Sequence, residues 1–150
     1  MRPVVLEMQR SVPGPPAIVW ELITDWENQG DWMLEASDFR VVSTVREGVG
    51  VEAEATVRIA GITTRDRVRV TGWEPGRRLA IEHKGWVSGD AELHLTEAPG
   101  GTHVRWVEHL IPPLGPLGWL GLVVVSPLMR RVFDRDLRVL EGLVRARTRR

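Results

Sequence analysis

The sequence predicts an α+β fold: a seven-stranded, curved antiparallel sheet wrapped on one long C-terminal helix, with two short helices after strand 1. Three observations predict it. Segments between residues 38 and 111 alternate apolar and polar side chains, and the turn signals between them never exceed five residues. Breaks that short join antiparallel neighbours. When each proposed turn is closed, apolar rows fall opposite apolar rows. From Met129 the period changes to steps of three and four, which is the spacing of an amphipathic helix.

The elements follow in order. Val4–Arg10 alternates and reads as the first strand. Pro15 and Pro16 suit a first helical turn, where their missing N–H groups would be unpaired anyway. Ile18, Val19, Leu22 and Ile23 then make a one-sided stripe, and Asp25–Leu34 reads as a second short, Trp-rich helix. Strands are expected at Asp38–Val45, Val51–Ile59, Ile62–Trp73, Arg78–Lys84, Ser88–Thr96 and Gly101–Ile111. The turns place Ile59 opposite Ile62, Val70 opposite Ile81, Ile81 opposite Ala91 and Ala91 opposite Trp106. The sheet therefore has one polar and one apolar face. The apolar face needs a cover, and Met129, Val132, Phe133, Leu137, Leu140 and Val144 supply it on a helix that Pro127 starts or kinks.

With 150 residues, 43% hydrophobic and 27% charged, the chain reads as a single domain over residues 1–150. Twenty basic and twenty acidic side chains cancel. That balance argues against nucleic acid as a partner. The absence of cysteine and tyrosine removes disulfides, thiolate metal sites, cysteine nucleophiles and phenolic acids or bases. Met1–Arg10 lacks the apolar core of a secretory signal, so a cytoplasmic location is expected. The uncharged stretch Leu110–Met129 is long enough to span a membrane. Its four prolines and three glycines argue instead for a buried or ligand-facing segment, a bent helix start that could gate a cavity.

The strand–helix–helix–meander–helix order, together with PPAIVWELITDWENQGDW at Pro15–Trp32 and GWEPGRRLAIEH at Gly72–His83, resembles the START-like (SRPBCC, helix-grip) superfamily. The likeness is greatest to its polyketide cyclase/dehydrase and lipid transport branch. The resemblance implies a deep, mostly apolar cavity between sheet and helix, holding a hydrophobic small molecule such as a lipid or polyketide. Some members are aromatases or cyclases. The resemblance carries no family-wide catalytic signature to particular residues.

The residues themselves suggest where chemistry could sit. Alternation puts Asp66, His83 and Glu108 on the apolar face, beside Gly85 and Gly89. A carboxylate near a histidine is a candidate acid–base pair. In a greasy pocket it can equally orient a ligand's polar end, and at an open rim it merely solvates. Trp106, Val68, Ile81, Leu93, Trp119 and Phe133 are the expected ligand-contacting walls, with His83, Asp66 and Glu108 as the polar contacts. Neither HxH nor HExxH spacing occurs, so no metal and no cofactor is expected. A polyketide aromatase or cyclase is the first alternative function. The second is a docking module using Pro116–Leu128, through a homodimer or a transient membrane contact. Arg130–Arg150 carries a net charge of +5, which would suit anionic headgroups.

Overall fold

The computed structural model describes residues 2–150. Seven strands, β1 (Val4–Val12), β2 (Ala36–Val41), β3 (Glu52–Ile59), β4 (Ile62–Glu74), β5 (Arg78–Lys84), β6 (Ser88–Ala98) and β7 (Gly101–Ile111), form one sheet in the order β1-β7-β6-β5-β4-β3-β2. All neighbours are antiparallel. Helix α1 (Pro16–Ile23) and a 3₁₀ turn (Trp26–Asp31) link β1 to β2, and α2 (Gly115–Thr148) closes the chain. This is the helix-grip architecture.

The pairing follows the alternation, with three local departures. Val70 faces Ile81 and Ile81 faces Ala91, but Ala91 faces Glu108 and Leu93 faces Trp106. The last hairpin therefore lies two residues from the expected register. Ala98 already pairs with Gly101, so the turn is the tight dipeptide Pro99-Gly100 instead of EAPG. An even shift preserves the face of every side chain, which is why the apolar rows still meet. A bulge between Val70 and Gly72 bends β4. β2 ends at Val41 instead of Val45, because Ser43 Oγ donates to Val45 O at 2.6 Å and accepts from Glu52 N at 2.9 Å. Those bonds turn the chain where alternation alone suggested a strand.

The largest difference lies in the apolar C-terminal segment. α2 runs unbroken from Gly115 through Pro127. A proline there removes the amide partner of the carbonyl four residues back, on Val123. Ser126 Oγ donates to Val123 O at 2.8 Å and replaces that partner. The helix start is tightly seated, since a Cβ on Gly118 would lie 1.7 Å from Pro113 O.

The two halves of α2 differ in packing. Leu137, Leu140 and Val144 are fully buried with Leu6, Val19, Ile23 and Val104. The first half stands over the open end of the sheet. There Leu117 and Val124 are 73% and 71% exposed, so of the two expected alternatives, buried or ligand-facing, the segment is not the buried one. Gly118, Gly121, Leu122 and Val125 face inward.

Candidate functional site

A hollow remains where the first half of α2 bridges the curved sheet. Its outer chamber measures about 430 Å³ and its inner recess about 80 Å³. The outer chamber falls within the range of small-molecule sites. The two share Met33, Ala36, Val57, Asp66, His83 and Glu108. The polar cluster thus sits where the chambers meet.

Asp66, His83 and Glu108 come from three different strands. His83 lies in the middle, on β5. With the ring protonated, Nδ1–H donates to Asp66 Oδ2 at 2.9 Å and Nε2–H donates to Glu108 Oε2 at 2.8 Å. The second bridge passes over β6, because the residue facing His83 there is Gly89. Gly89 holds φ +118°, and a Cβ on it would lie 1.9 Å from His109 O. A side chain at this point would therefore strain the strand. Trp106 Nε1 donates to Glu108 Oε1 at 3.0 Å, so both oxygens of Glu108 are engaged. Burial opposes the charge on His83. The charge of Glu108, hydrogen bonds to Asp66 and Glu108, and the charge of Asp66 outweigh that penalty, and the ring's pKa stands well above 6.5. The site therefore favours the protonated, cationic ring.

The remaining expected residues divide. Val68, Ile81, Leu93 and Trp106 line the inner recess, and Phe133 lines the outer chamber. Trp106 and Phe133 stack at 4.9 Å, and Trp32 meets Trp106 edge-on at 5.9 Å. Trp119 lines neither chamber. Its Nε1 donates to Arg2 O at 3.1 Å and ties the start of α2 to the chain ahead of β1. His94, His103 and His109 lie on the opposite face, bonded to Glu92, Gln9 and Asp90. Among the described residues no group of three or more His, Cys, Asp or Glu is arranged to hold a metal ion.

Sequence reasoning missed several walls. Trp26, Trp32, Met33 and Phe39 line the inner recess. Trp26, Trp32 and Met33 belong to the irregular link between α1 and β2, where no period reveals a face, and Phe39 lies on β2 where an irregularity between Ser37 and Arg40 interrupts the alternation. It also missed Glu35 and Asp136. The Glu35 side chain is 3% exposed and lines the outer chamber, and Asp136 beside it on α2 is wholly buried. Asp136 Oδ1 accepts from Leu34 N at 3.2 Å, while no donor faces Oδ2. Arg135 Nη2 lies 3.4 Å from Glu35 and 3.5 Å from Asp136. Burial first, then the hydrogen bond and charge of Glu35, push Asp136 up to about 9. Its carboxyl is therefore protonated at neutral pH, with an O–H to offer Glu35. A signal for it existed, since Asp136 falls on the stripe of Phe133, Leu137, Leu140 and Val144.

Comparisons with known proteins agree with this architecture. The chain is 26% identical over 94 residues to the uncharacterized protein Rv1546 of Mycobacterium tuberculosis, covering 63% of this chain and 66% of that protein, just short of two thirds of its length. Among solved structures, TTHA0849 from Thermus thermophilus superposes with a TM-score of 0.83 at 22% identity, covering 97% of this chain and 99% of its own. The ZhuI aromatase/cyclase from Streptomyces sp. R1128 gives 0.81 at 16% identity, covering 96% and 94%. A START superfamily protein from Mycobacterium smegmatis gives 0.76 at 14% identity, covering 96% and 99%. These likenesses establish the START-like fold. The family described as "Polyketide cyclase / dehydrase and lipid transport" matches residues 3–145. With nearly the whole sequence matched and the helix-grip sheet, helix and hollow in place, the chain belongs to the polyketide cyclase/dehydrase and lipid transport family.

Proposed function

We propose that this protein binds, and can carry within the cytoplasm, a hydrophobic small molecule of lipid or polyketide type in the hollow between sheet and α2. The observation that carries the reading is the outer chamber of about 430 Å³, walled by Ile59, Leu110, Leu122, Val125, Met129 and Phe133. Transfer of ligand surface from water would drive binding, at roughly 25 cal/mol per Å² before ordering costs. Asp66, His83 and Glu108 would meet the ligand's polar end. Trp106 bonds to Glu108 of the cluster and Trp32 meets Trp106 edge-on, so tryptophan fluorescence should respond to occupancy. Organic extraction followed by mass spectrometry should recover a co-purified apolar compound. An empty extract, with no change in melting across lipid and polyketide panels, would remove the proposal.

A polyketide aromatase or cyclase is the second reading, favoured by the histidine held between two carboxyl groups inside the hollow. Shape would fold the chain, and the cluster would move protons. Both ring nitrogens are already bonded, however, so His83 must give up one partner before it can act. His83→Ala should abolish turnover with binding retained if the protein is an enzyme. A carrier would change in affinity alone.

A third reading concerns the outer face of α2. Leu117, Leu120, Val124 and Leu128 are exposed beside the chamber mouth, with exposed Arg130 and Arg131 at their end. That pairing of apolar and cationic groups suits an anionic bilayer. The protein should co-sediment with phosphatidylglycerol vesicles more than with phosphatidylcholine vesicles, and Leu117→Glu with Val124→Glu should release it. A dimeric mass with no vesicle binding would assign the face to a second copy.

A further inference from the structure

We infer that the hollow selects apolar molecules whose polar end is a hydrogen-bond donor, an alcohol, phenol or ammonium group, and rejects apolar carboxylates. This rests on the ligand-binding reading above and specifies its ligand.

The donors and acceptors of the cluster lead there. Its three N–H groups are all engaged inward: His83 Nδ1 with Asp66, His83 Nε2 with Glu108, and Trp106 Nε1 with Glu108. None is left for a ligand carbonyl or carboxylate. What remains is acceptor capacity. Asp66 Oδ1 receives no hydrogen bond among the described residues, and the Asp66 side chain keeps 24% of its surface. The spare lone pairs on Asp66 and Glu108 can only accept. Of the other indole N–H groups, those of Trp26 and Trp32 lack partners but are sealed from solvent, and that of Trp86, which is 57% exposed, lines the outer chamber outside the cluster.

The charges around the hollow point the same way. One imidazolium between two carboxylates leaves an excess negative charge. Glu35 adds another acid to the chamber wall, but Arg135 pairs with it at 3.4 Å, so the excess charge is that of the cluster. Arg65 touches the same chamber, but it precedes Asp66 on β4, so its exposed side chain projects to the other face of the sheet. Glu54 and Glu92, at the inner recess, are paired with arginines on the outer face. His83 is thus the one cation directed into the hollow among the described residues, and it is already saturated. An incoming carboxylate would lose its hydration and, at the cluster, meet acceptors only. A hydroxyl or ammonium would find Asp66 Oδ1 waiting.

The test uses ligands of one shape with different polar ends: 2-naphthol, 2-naphthylmethylamine and 2-naphthoate, titrated at neutral pH with tryptophan fluorescence and thermal shift. The alcohol and the ammonium should bind at least about tenfold more tightly than the carboxylate. Asp66→Asn and Glu108→Gln should each narrow that gap. Should Glu108→Gln fail to fold, Asp66→Asn, at the more exposed position, decides the matter alone. Equal or tighter binding of naphthoate would overturn the inference while leaving the ligand-binding reading intact. A preference that survives unchanged in the folded variants would overturn it equally. Failure of all three ligands, with naphthalene also inert, would overturn both together.

Discussion

His83 and Asp136 are both buried titratable groups whose protonated forms the fold favours, for opposite electrical reasons. His83 keeps its proton because two carboxyl groups surround it, despite burial. Asp136 keeps its proton because burial and its neighbour Glu35 disfavour a second negative charge. In each case the folded pKa lies above the unfolded one, so the folded protein binds more protons and stability falls as pH rises. For Asp136 the stabilisation is complete below about 3.8 and declines up to about 9. For His83 it is complete below 6.5 and is lost as pH passes the raised folded value. Urea unfolding should therefore show a midpoint that falls on the alkaline side. Asp136→Asn should flatten the part below about 9, because an amide cannot ionise. A pH profile parallel to the wild type would show that Asp136 is not the group responsible. Asp66 and His83 were identifiable from alternation alone, since each is a polar side chain on an apolar row. Asp136 was overlooked because a single acid on a helix stripe resembles ordinary helix-surface decoration until neighbours bury it.

Strand β6 works by what it lacks. Gly89 lets the His83 ring reach Glu108 across a whole strand, and its positive φ excludes most side chains. Gly89→Ala should destabilise the protein by about 1–3 kcal/mol. It should also weaken the His83–Glu108 bridge, visible in the imidazole NMR resonances as a lowered His83 pKa. An unchanged titration would mean that the bridge does not need the gap. Helix α2 likewise depends on local substitutes. Its proline and glycines read as breaks, yet Ser126 supplies the donor for Val123 O, and Gly118 fits against Pro113 O. The strands were legible because a two-residue period survives errors in turn length. The exact hairpin register was not, because EAPG and Pro99-Gly100 are both acceptable turns and differ by an even shift.

The whole molecule divides into a packed end and a hollow end. β1, α1 and the second half of α2 make a close-packed core around Leu6, Leu137 and Leu140. The first half of α2 spans the sheet without filling the space beneath it. Filling that space should separate binding from folding. Val57, half-buried and shared by both chambers, can accept a larger side chain. Val57→Phe should weaken ligand binding about tenfold or more while the melting temperature holds or rises, since the added ring buries apolar surface in existing space. Unaltered binding would locate the ligand elsewhere.

The sequence by itself determined the class of fold, the number of strands, which side chains share the inner face, and the presence of a histidine and two carboxylates among them. These follow from local periodicity and from turns too short to permit any other pairing. Only the tertiary structure decided that the three groups touch, that an irregular link supplies the deepest walls, and that half of α2 leaves a void while the other half packs. Those outcomes depend on sheet curvature, on a bulge and on where one helix comes to rest. They are set by distances between segments far apart in the chain, to which no local pattern responds.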